Sequence, residues 1–497
     1  MDNLLKLSGD FIARQSPVRI IFAIIALQFV MHIPFFSSPP VSQHTWRQVI
    51  SLATAKNFYE EDARLLYPRS DTRTDINDPG INYQEFPFIY WILGMSYSVT
   101  GFAHENSRVL AFILASLLLF VAYFVLRELR ISRNVSLYSI FFLAFSPLYF
   151  YYSINLLPNI PALMFFLAGL WCYLRTLRYD HFRWSYDVFG ILFLSLAMVT
   201  KATWLFYGLL LAGVGLYYLK QSKNPTKLFL KLGVWGACIL ALAGLQFYHQ
   251  FSLHHANPPE RQDVITMGPT LLLSWSHFLS VIKSGVGHWF VELTLGYGAL
   301  IFFVVGVVKG YKRFKSNPGF IGLFWILWAG SAIAFSLFFF PLYDRHAYYQ
   351  THILLPVSLI SAYGLSFVLA SRRWKTLAVT LVLLTPVYAG IRIIPRWTDN
   401  KQIPDELLSQ VEAFQNTISK DDLVLVIGDS TPNVYLYYLE RKGRSQFSFS
   451  RDDEKLKALK EKGYRWVVHR SDVPTEIDLA TVFTFSHKIG NFDLYQF

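Results

Sequence analysis

Charge is scarce in this chain, and cysteine is almost absent. Of 497 residues only 16% are charged and 53% are hydrophobic, where a soluble domain has about 25% charged residues. That deficit excludes an ordinary soluble globular protein. Two cysteines, Cys172 and Cys238, lie inside apolar runs; they exclude a disulfide framework and supply no metal-ligand spacing. The C-terminal segment from about Arg392 to Phe497 has no GxGxxG or GxxxxGK[ST] phosphate cradle, which removes those nucleotide-binding signatures there. Acidic residues are also missing from the short links between apolar runs. Those links and the N-terminal segment hold 20 of the 45 Lys and Arg residues but only four of the 33 acids, Asp2, Asp10, Glu128 and Asp180.

What remains is membrane-like. Mean hydropathy is +0.34, and the apolar runs approach the twenty or so residues that cross a hydrocarbon core. The aromatic fraction of 17% suits a chain whose Trp and Tyr collect at membrane interfaces. Net charge is +12, but its placement in short links follows the positive-inside rule and marks one membrane face rather than a nucleic-acid footprint. The pattern predicts an α-helical polytopic membrane protein with about eleven spans: 20–36, 109–126, 135–152, 160–174, 188–199, 203–219, 232–247, 293–308, 319–340, 353–370 and 377–391. The first run ends in PFFSSPP without a small-residue cleavage site, so it reads as a retained span. Residues 271–282 are apolar but short, and read as interfacial or re-entrant.

The expected organisation is a transmembrane domain over 1–391, with an outer loop at 37–107, and a small extracytoplasmic α/β domain over 392–497. In that tail the pattern predicts a helix through IPDELLSQVEAFQNTI, a strand at 423–427, a helix from 432 to 440, a charged helix near 453–462 and a strand at 466–469. Two strand-like runs close the chain. GDSTPN reads as a turn whose Ser430 or Thr431 caps the next helix.

Ionisable residues near spans are costly unless they pair or work. Here they gather on the predicted outer side. His44, Arg47, Asp75, Asp78 and Glu85 lie in the first loop. Arg108 opens the second span, Thr200-Lys201 forms a turn, and Asp344, Arg345, His346 and Tyr348 precede a late span. Simpler readings stand beside each. Asp75 and Asp78 flank Asn77 before Pro79-Gly80, as in an Asx turn; Arg108 and Lys201 can snorkel. The His254-His255 doublet reads as solvated loop.

In order and type, these pieces resemble the GT-C glycosyltransferases, in particular the protein O-mannosyltransferase and bacterial aminoarabinose (lipid A) transferase family. Glu85-Phe86-Pro87 stands where that family has Glu-Lys-Pro, Arg108 where it has an Arg, and Thr200-Lys201 where it has a TK turn. The likeness covers about the first 370 residues. His44 falls where the family's loop opens with the Asp held to be the base, Thr45 on the following Glu, Phe86 on the Lys, and Asn159 where relatives often have Asp.

The resemblance implies inverting transfer of a sugar from a polyprenyl-phosphate donor to a hydroxyl of an envelope glycan, lipid or protein. That chemistry needs a base for the acceptor proton and fixed positive charge for the leaving phosphate. His44, Asp75, Asp78 and Glu85 are the candidate catalytic residues. Arg47, Arg108, Lys201, Arg345, His346 and Tyr348 are candidates for holding the carrier phosphate. Membrane lipids are implied partners and nucleic acid is not. No cofactor is implied, and a divalent metal is left open. The expected location is a bacterial inner membrane with the C-terminus outside. A polyprenyl-linked glycan ligase or polymerase shares the substrate class. A flippase or transporter is the alternative from another class, but internal repeats and midplane charges are not evident.

Overall fold

The computed structural model describes residues 15–41, 43–179, 181–256, 274–316, 319–343, 346–399, 403–448, 453–476 and 478–497. The chain divides into two compact units. One comprises Met1–Phe36, Arg108–Phe247 and Val264–Ile394; the other comprises Ser37–Ser107, Tyr248–Asp263 and Pro395–Phe497.

The first unit is a helical bundle. Among the described residues seven helices are long and apolar enough to cross a membrane: Pro17–Phe35, His104–Glu128, Ala202–Gln221, Pro225–Leu253, Gly319–Phe339, Ala347–Leu369 and Lys375–Thr398. An eighth is added if Trp275–Leu295 and Tyr297–Lys312, bent by 101° at their junction, form one span. The remaining expected spans are helical but short or broken. Helix Trp184–Thr200 has 17 residues and Asn159–Thr176 has 18. The expected span at 135–152 is two helices, Arg133–Ala144 and Pro147–Tyr152. Pro147 explains the break, because a proline lacks the N–H and its ring clashes with the preceding turn. At the first helix among the described residues the same residue type helps: Pro17 occupies the first turn and Ser16 Oγ accepts from Arg19 N at 3.3 Å, an N-cap followed by a pre-set φ.

One buried ion pair fixes the links of this bundle. The Asp187 carboxylate accepts from Thr176 Oγ1 (2.8 Å) and Trp235 Nε1 (2.7 Å) and lies 3.4 Å from Lys231 Nζ. Lys231 also donates to the carbonyls of Thr176, Tyr179 and His181. A charge pair with this many hydrogen bonds can be retained in a low-dielectric interior.

The second unit carries a five-stranded sheet in the order β2-β1-β3-β5-β4. Its strands are β1 Leu423–Ile427, β2 Lys442–Gln446, β3 Tyr464–Arg470, β4 Thr484–Ile489 and β5 Phe492–Gln496. β1 pairs in parallel with β2 and β3; β5 is antiparallel to β3 and β4. The fully buried, continuously apolar β1 is the expected centre of a parallel sheet. Leu425, Ile427, Leu459, Val467, Phe483 and Tyr495 pack in the core on it. Gly490-Asn491 closes the last hairpin with φ +54° at the glycine, a conformation glycine adopts without steric cost. After β1, Thr431 Oγ1 accepts from Val434 N (3.1 Å), while Asp429 accepts from Tyr435 N (3.0 Å). Thr431 and Asp429 therefore share the capping of helix Val434–Leu439.

The long loop is part of this unit. Thr72 bridges Gly443 in parallel, Arg73 N donates to Gly443 O (2.7 Å), and Gly443 N donates to Asp71 O (3.1 Å). The loop thereby covers the edge of β2, which would otherwise expose unpaired backbone groups. β2 itself, KGRSQ, escapes the sequence pattern because it is polar. Gly443 sits at φ +150°, where a Cβ would lie 1.9 Å from Val424 O.

Candidate active site

In the second unit, helix Thr45–Glu60 carries the first group of candidates. It is polar on average, yet 12 of its 16 residues are buried, including Gln48, Ser51, Thr54, Lys56 and Asn57. Thr54 Oγ1 and Asn57 Nδ2 donate back to the carbonyls of Ile50 and Ala53, as such side chains do inside helices, while Asn57 Oδ1 is buried without a hydrogen-bond partner among the described residues. His44 precedes the helix in a left-handed conformation, φ 57° and ψ 35°. Such a conformation is uncommon outside glycine and points to a position held by its surroundings. Gln43 Nε2 lies 3.1 Å from His44 Nε2. An amide nitrogen only donates, so it addresses that ring nitrogen as an acceptor.

Arg47, one turn into the helix, forms an ion pair with Glu85 and donates to Gln84 Oε1 at 2.8 Å. Tyr90 Oη donates to the same Glu85 oxygen at 2.5 Å. Burial pushes the Tyr90 phenol up, with the Glu85 carboxylate adding to the effect, so Tyr90 remains the donor. The Glu85 carboxylate is thus held by a guanidinium and a phenol. Asp75 and Asp78 are spent on turns: Asp75 Oδ1 accepts from Asn77 N (2.7 Å), and Asp78 accepts from Gly80 N (2.8 Å) and from Thr74 N and Oγ1.

In the first unit, Arg108 is buried, donating to Ile154 O at 3.2 Å and to Asn155 Oδ1. Lys201 ends helix Trp184–Thr200, with Nζ 5.8 Å from the Tyr348 ring centroid and 5.9 Å from that of Tyr349. His346 stacks on Tyr348 at 5.1 Å. Asn159 Nδ2 reaches Tyr348 O at 3.2 Å, so the LPN turn positions the backbone that presents Tyr348. Thr200 Oγ1 is buried without a hydrogen-bond partner among the described residues. Asp344 and Arg345 lie outside the described residues. Arg108, Lys201, His346 and Tyr348 thus fall in one unit, and His44, Arg47, Asp75, Asp78 and Glu85 in the other. Among the described residues no group of three or more His, Cys, Asp or Glu side chains is placed to hold a metal ion.

Residues 84–248, about a third of the chain, match the family described as dolichyl-phosphate-mannose-protein mannosyltransferase. No curated protein matches the sequence. Solved structures match over nearly the whole chain. ArnT from Cupriavidus metallidurans bound to undecaprenyl phosphate aligns with a TM-score of 0.62 at 12% identity, covering 96% of this chain and 97% of that one. The Archaeoglobus fulgidus oligosaccharyltransferase in its apo form aligns at 0.55 and 13% identity, covering 92% and 69%. The mycobacterial arabinofuranosyltransferase AftD aligns at 0.52 and 12% identity, covering 96% of this chain but 41% of that one. The chain has the GT-C glycosyltransferase fold.

Within this GT-C fold, several buried polar residues carry no signal in the sequence. His32, at the end of the first span, places Nδ1 2.7 Å from Gln28 O and Nε2 3.0 Å from Phe150 O, and stacks on Phe150. Gln350 accepts from Thr294 Oγ1 (2.6 Å) and donates to Gly285 O (2.7 Å). It ties helix Ala347–Ile353, which carries Tyr348 and Tyr349, to the π-helical segment Lys283–Leu295.

Proposed function

We propose that this protein transfers a sugar from a polyprenyl-phosphate carrier to a hydroxyl of an envelope glycan, lipid or protein at the outer face of a bacterial inner membrane. The observation that carries the reading is the fold shared end to end with a transferase whose structure holds undecaprenyl phosphate. In the reaction the acceptor oxygen attacks the anomeric carbon. Its bond to the carrier phosphate breaks with the electron pair leaving on phosphate, and the acceptor proton passes to a base. In-line displacement inverts the anomeric centre.

His44 is the base in this reading. Glu85 is held by Arg47 and Tyr90, and Asp75 and Asp78 are held by turn N–H groups, whereas an imidazole exchanges its proton near neutral pH. Glu85 instead orients Arg47. Lys201, framed by Tyr348 and Tyr349, supplies charge for the leaving phosphate in this reading; Arg108 and His346, of the same unit, are further candidates for that role. The test is turnover of labelled undecaprenyl-phosphate sugars by the protein in nanodiscs. His44→Ala should lose activity by about 10²–10⁴-fold, while Asp75→Asn and Asp78→Asn stay near normal. Turnover only of a diphosphate-linked glycan donor, with release of the polyprenyl diphosphate, would favour a glycan ligase or polymerase, and no carrier release from either donor would sink the transferase reading.

A further inference from the structure

The second unit contains a cavity of about 590 Å³ that the proposed chemistry does not use. Its size falls within the range of about 300–1,000 Å³ typical of small-molecule sites. Its lining is unusual for a ligand pocket: eleven of fifteen residues are formally charged, five basic and six acidic, and they nearly cancel. Arg73 Nη2 donates to Glu61 Oε1 at 3.0 Å, Lys442 pairs with the same carboxylate, and Lys420 lies 3.2 Å from Glu60.

The deepest pair is incomplete. Lys56 Nζ lies 3.7 Å from Asp71 Oδ2, with side-chain exposures of 3% and 1%. Asn57 Nδ2 donates to Asp71 Oδ1 at 2.9 Å, but Asp71 Oδ2 has no hydrogen-bond donor among the described residues. Lys56 is otherwise held over the Tyr437 ring at 5.5 Å. The Lys56 ammonium, 3.7 Å away, pairs with that oxygen in charge but lies beyond hydrogen-bond reach, so a donor between them would complete the pair.

Hydroxyl groups meet that requirement, because each one donates to carboxylate and accepts from ammonium or guanidinium. A strongly anionic or cationic ligand would face like charges on whichever wall it approached. Ile76, Pro79 and Leu423 supply apolar surface beside the charges, as the C–H face of a sugar ring requires. We infer that this cavity binds an uncharged saccharide portion of the acceptor glycan. This rests on the transferase reading for the word acceptor, while the binding itself does not.

The experiment uses full-length protein in nanodiscs on an array printed with neutral, amine-bearing, carboxylated and phosphorylated bacterial saccharides. Wild type should be retained on neutral saccharides. Asn77→Trp, at the exposed rim, plugs the cavity without removing an ion pair and should cut retention at least tenfold. Lys56→Met with Asp71→Asn removes the deepest pair together and should do the same. Slow hydrolysis of the donor by water should be unchanged in Asn77→Trp. No retention, retention confined to charged saccharides, or undiminished retention in Asn77→Trp overturns the inference, even with donor turnover intact. Neutral saccharides retained by a protein that never turns over the donor would leave the cavity assignment standing and remove the transferase reading.

Discussion

Arg47 and Glu85 are joined across 38 residues by an ion pair in the second unit, with Gln84 and Tyr90 completing the grip. Their side chains are 13% and 8% exposed. Removing one partner strands the other, at about 3–5 kcal/mol for a buried pair. Glu85→Gln should therefore lower the melting temperature and slow transfer by about 10²–10³-fold. The double variant Arg47→Met/Glu85→Gln should recover most of the stability and none of the activity. Recovery of both would make the pair purely structural.

Much of the fold is legible in the sequence. β1 declares itself as five consecutive apolar residues, and the helices of the tail by their periodicity. β2 does not, because its burial comes from β1 and from the loop laid on its edge, neither of which its own residues encode. Pro147 is visible in the sequence, yet apolar length outweighs it when spans are counted. The candidate residues are legible as types, but their pairing is not. Glu85 reads as a base until Arg47 is found against it, and Asp71 with Lys56 shows no pattern at all, since their partnership exists only after the loop folds.

Gly443 should be irreplaceable. At its φ of +150° any Cβ would stand 1.9 Å from Val424 O, which leaves no room for a side chain, and its N–H and carbonyl both bond to the loop. Gly443→Val should cost about 1–3 kcal/mol or more and open 70–73 to limited proteolysis. An unchanged cleavage pattern would show the edge pairing to be dispensable.

Lys442 should titrate early. Burial, opposed by the Glu60 carboxylate and assisted by neighbouring Lys56, pushes its ammonium down to about 8. Between about pH 8 and the unfolded value near 10.4 the unfolded chain binds the extra proton. Stability therefore rises with pH across that window, and the burial penalty is felt in full below it. The ¹³C resonance of dimethylated Lys442 should move with a midpoint near 8. A midpoint above 10 would contradict the burial argument.

The basic links predict sides of the membrane. After replacement of Cys172 and Cys238 by alanine, cysteines at exposed Asn77 and Lys420 should react with an impermeant maleimide added outside intact cells. A cysteine at exposed Asn224 should react only after permeabilisation. Outside labelling at Asn224 would invert the topology.

Lys201 offers the sharpest separation of function from anchoring. Its Nζ is framed by two phenol rings at 5.8 and 5.9 Å, a contact worth about 0.5–1 kcal/mol where exposed and more when dry. A lysine that only snorkels tolerates arginine, because either head group reaches the interface. A lysine that meets phosphate as a point charge between two rings does not, since the guanidinium is broader, planar and binds as a fork. Lys201→Met should cut kcat by about 10²–10³-fold with the protein still folded and inserted. Lys201→Arg should restore less than a tenth of the loss, and the deficit should appear in kcat more than in KM, because the charge on the phosphate grows as the bond to the sugar breaks. An arginine variant as active as wild type would return Lys201 to the interface and leave the phosphate to other residues.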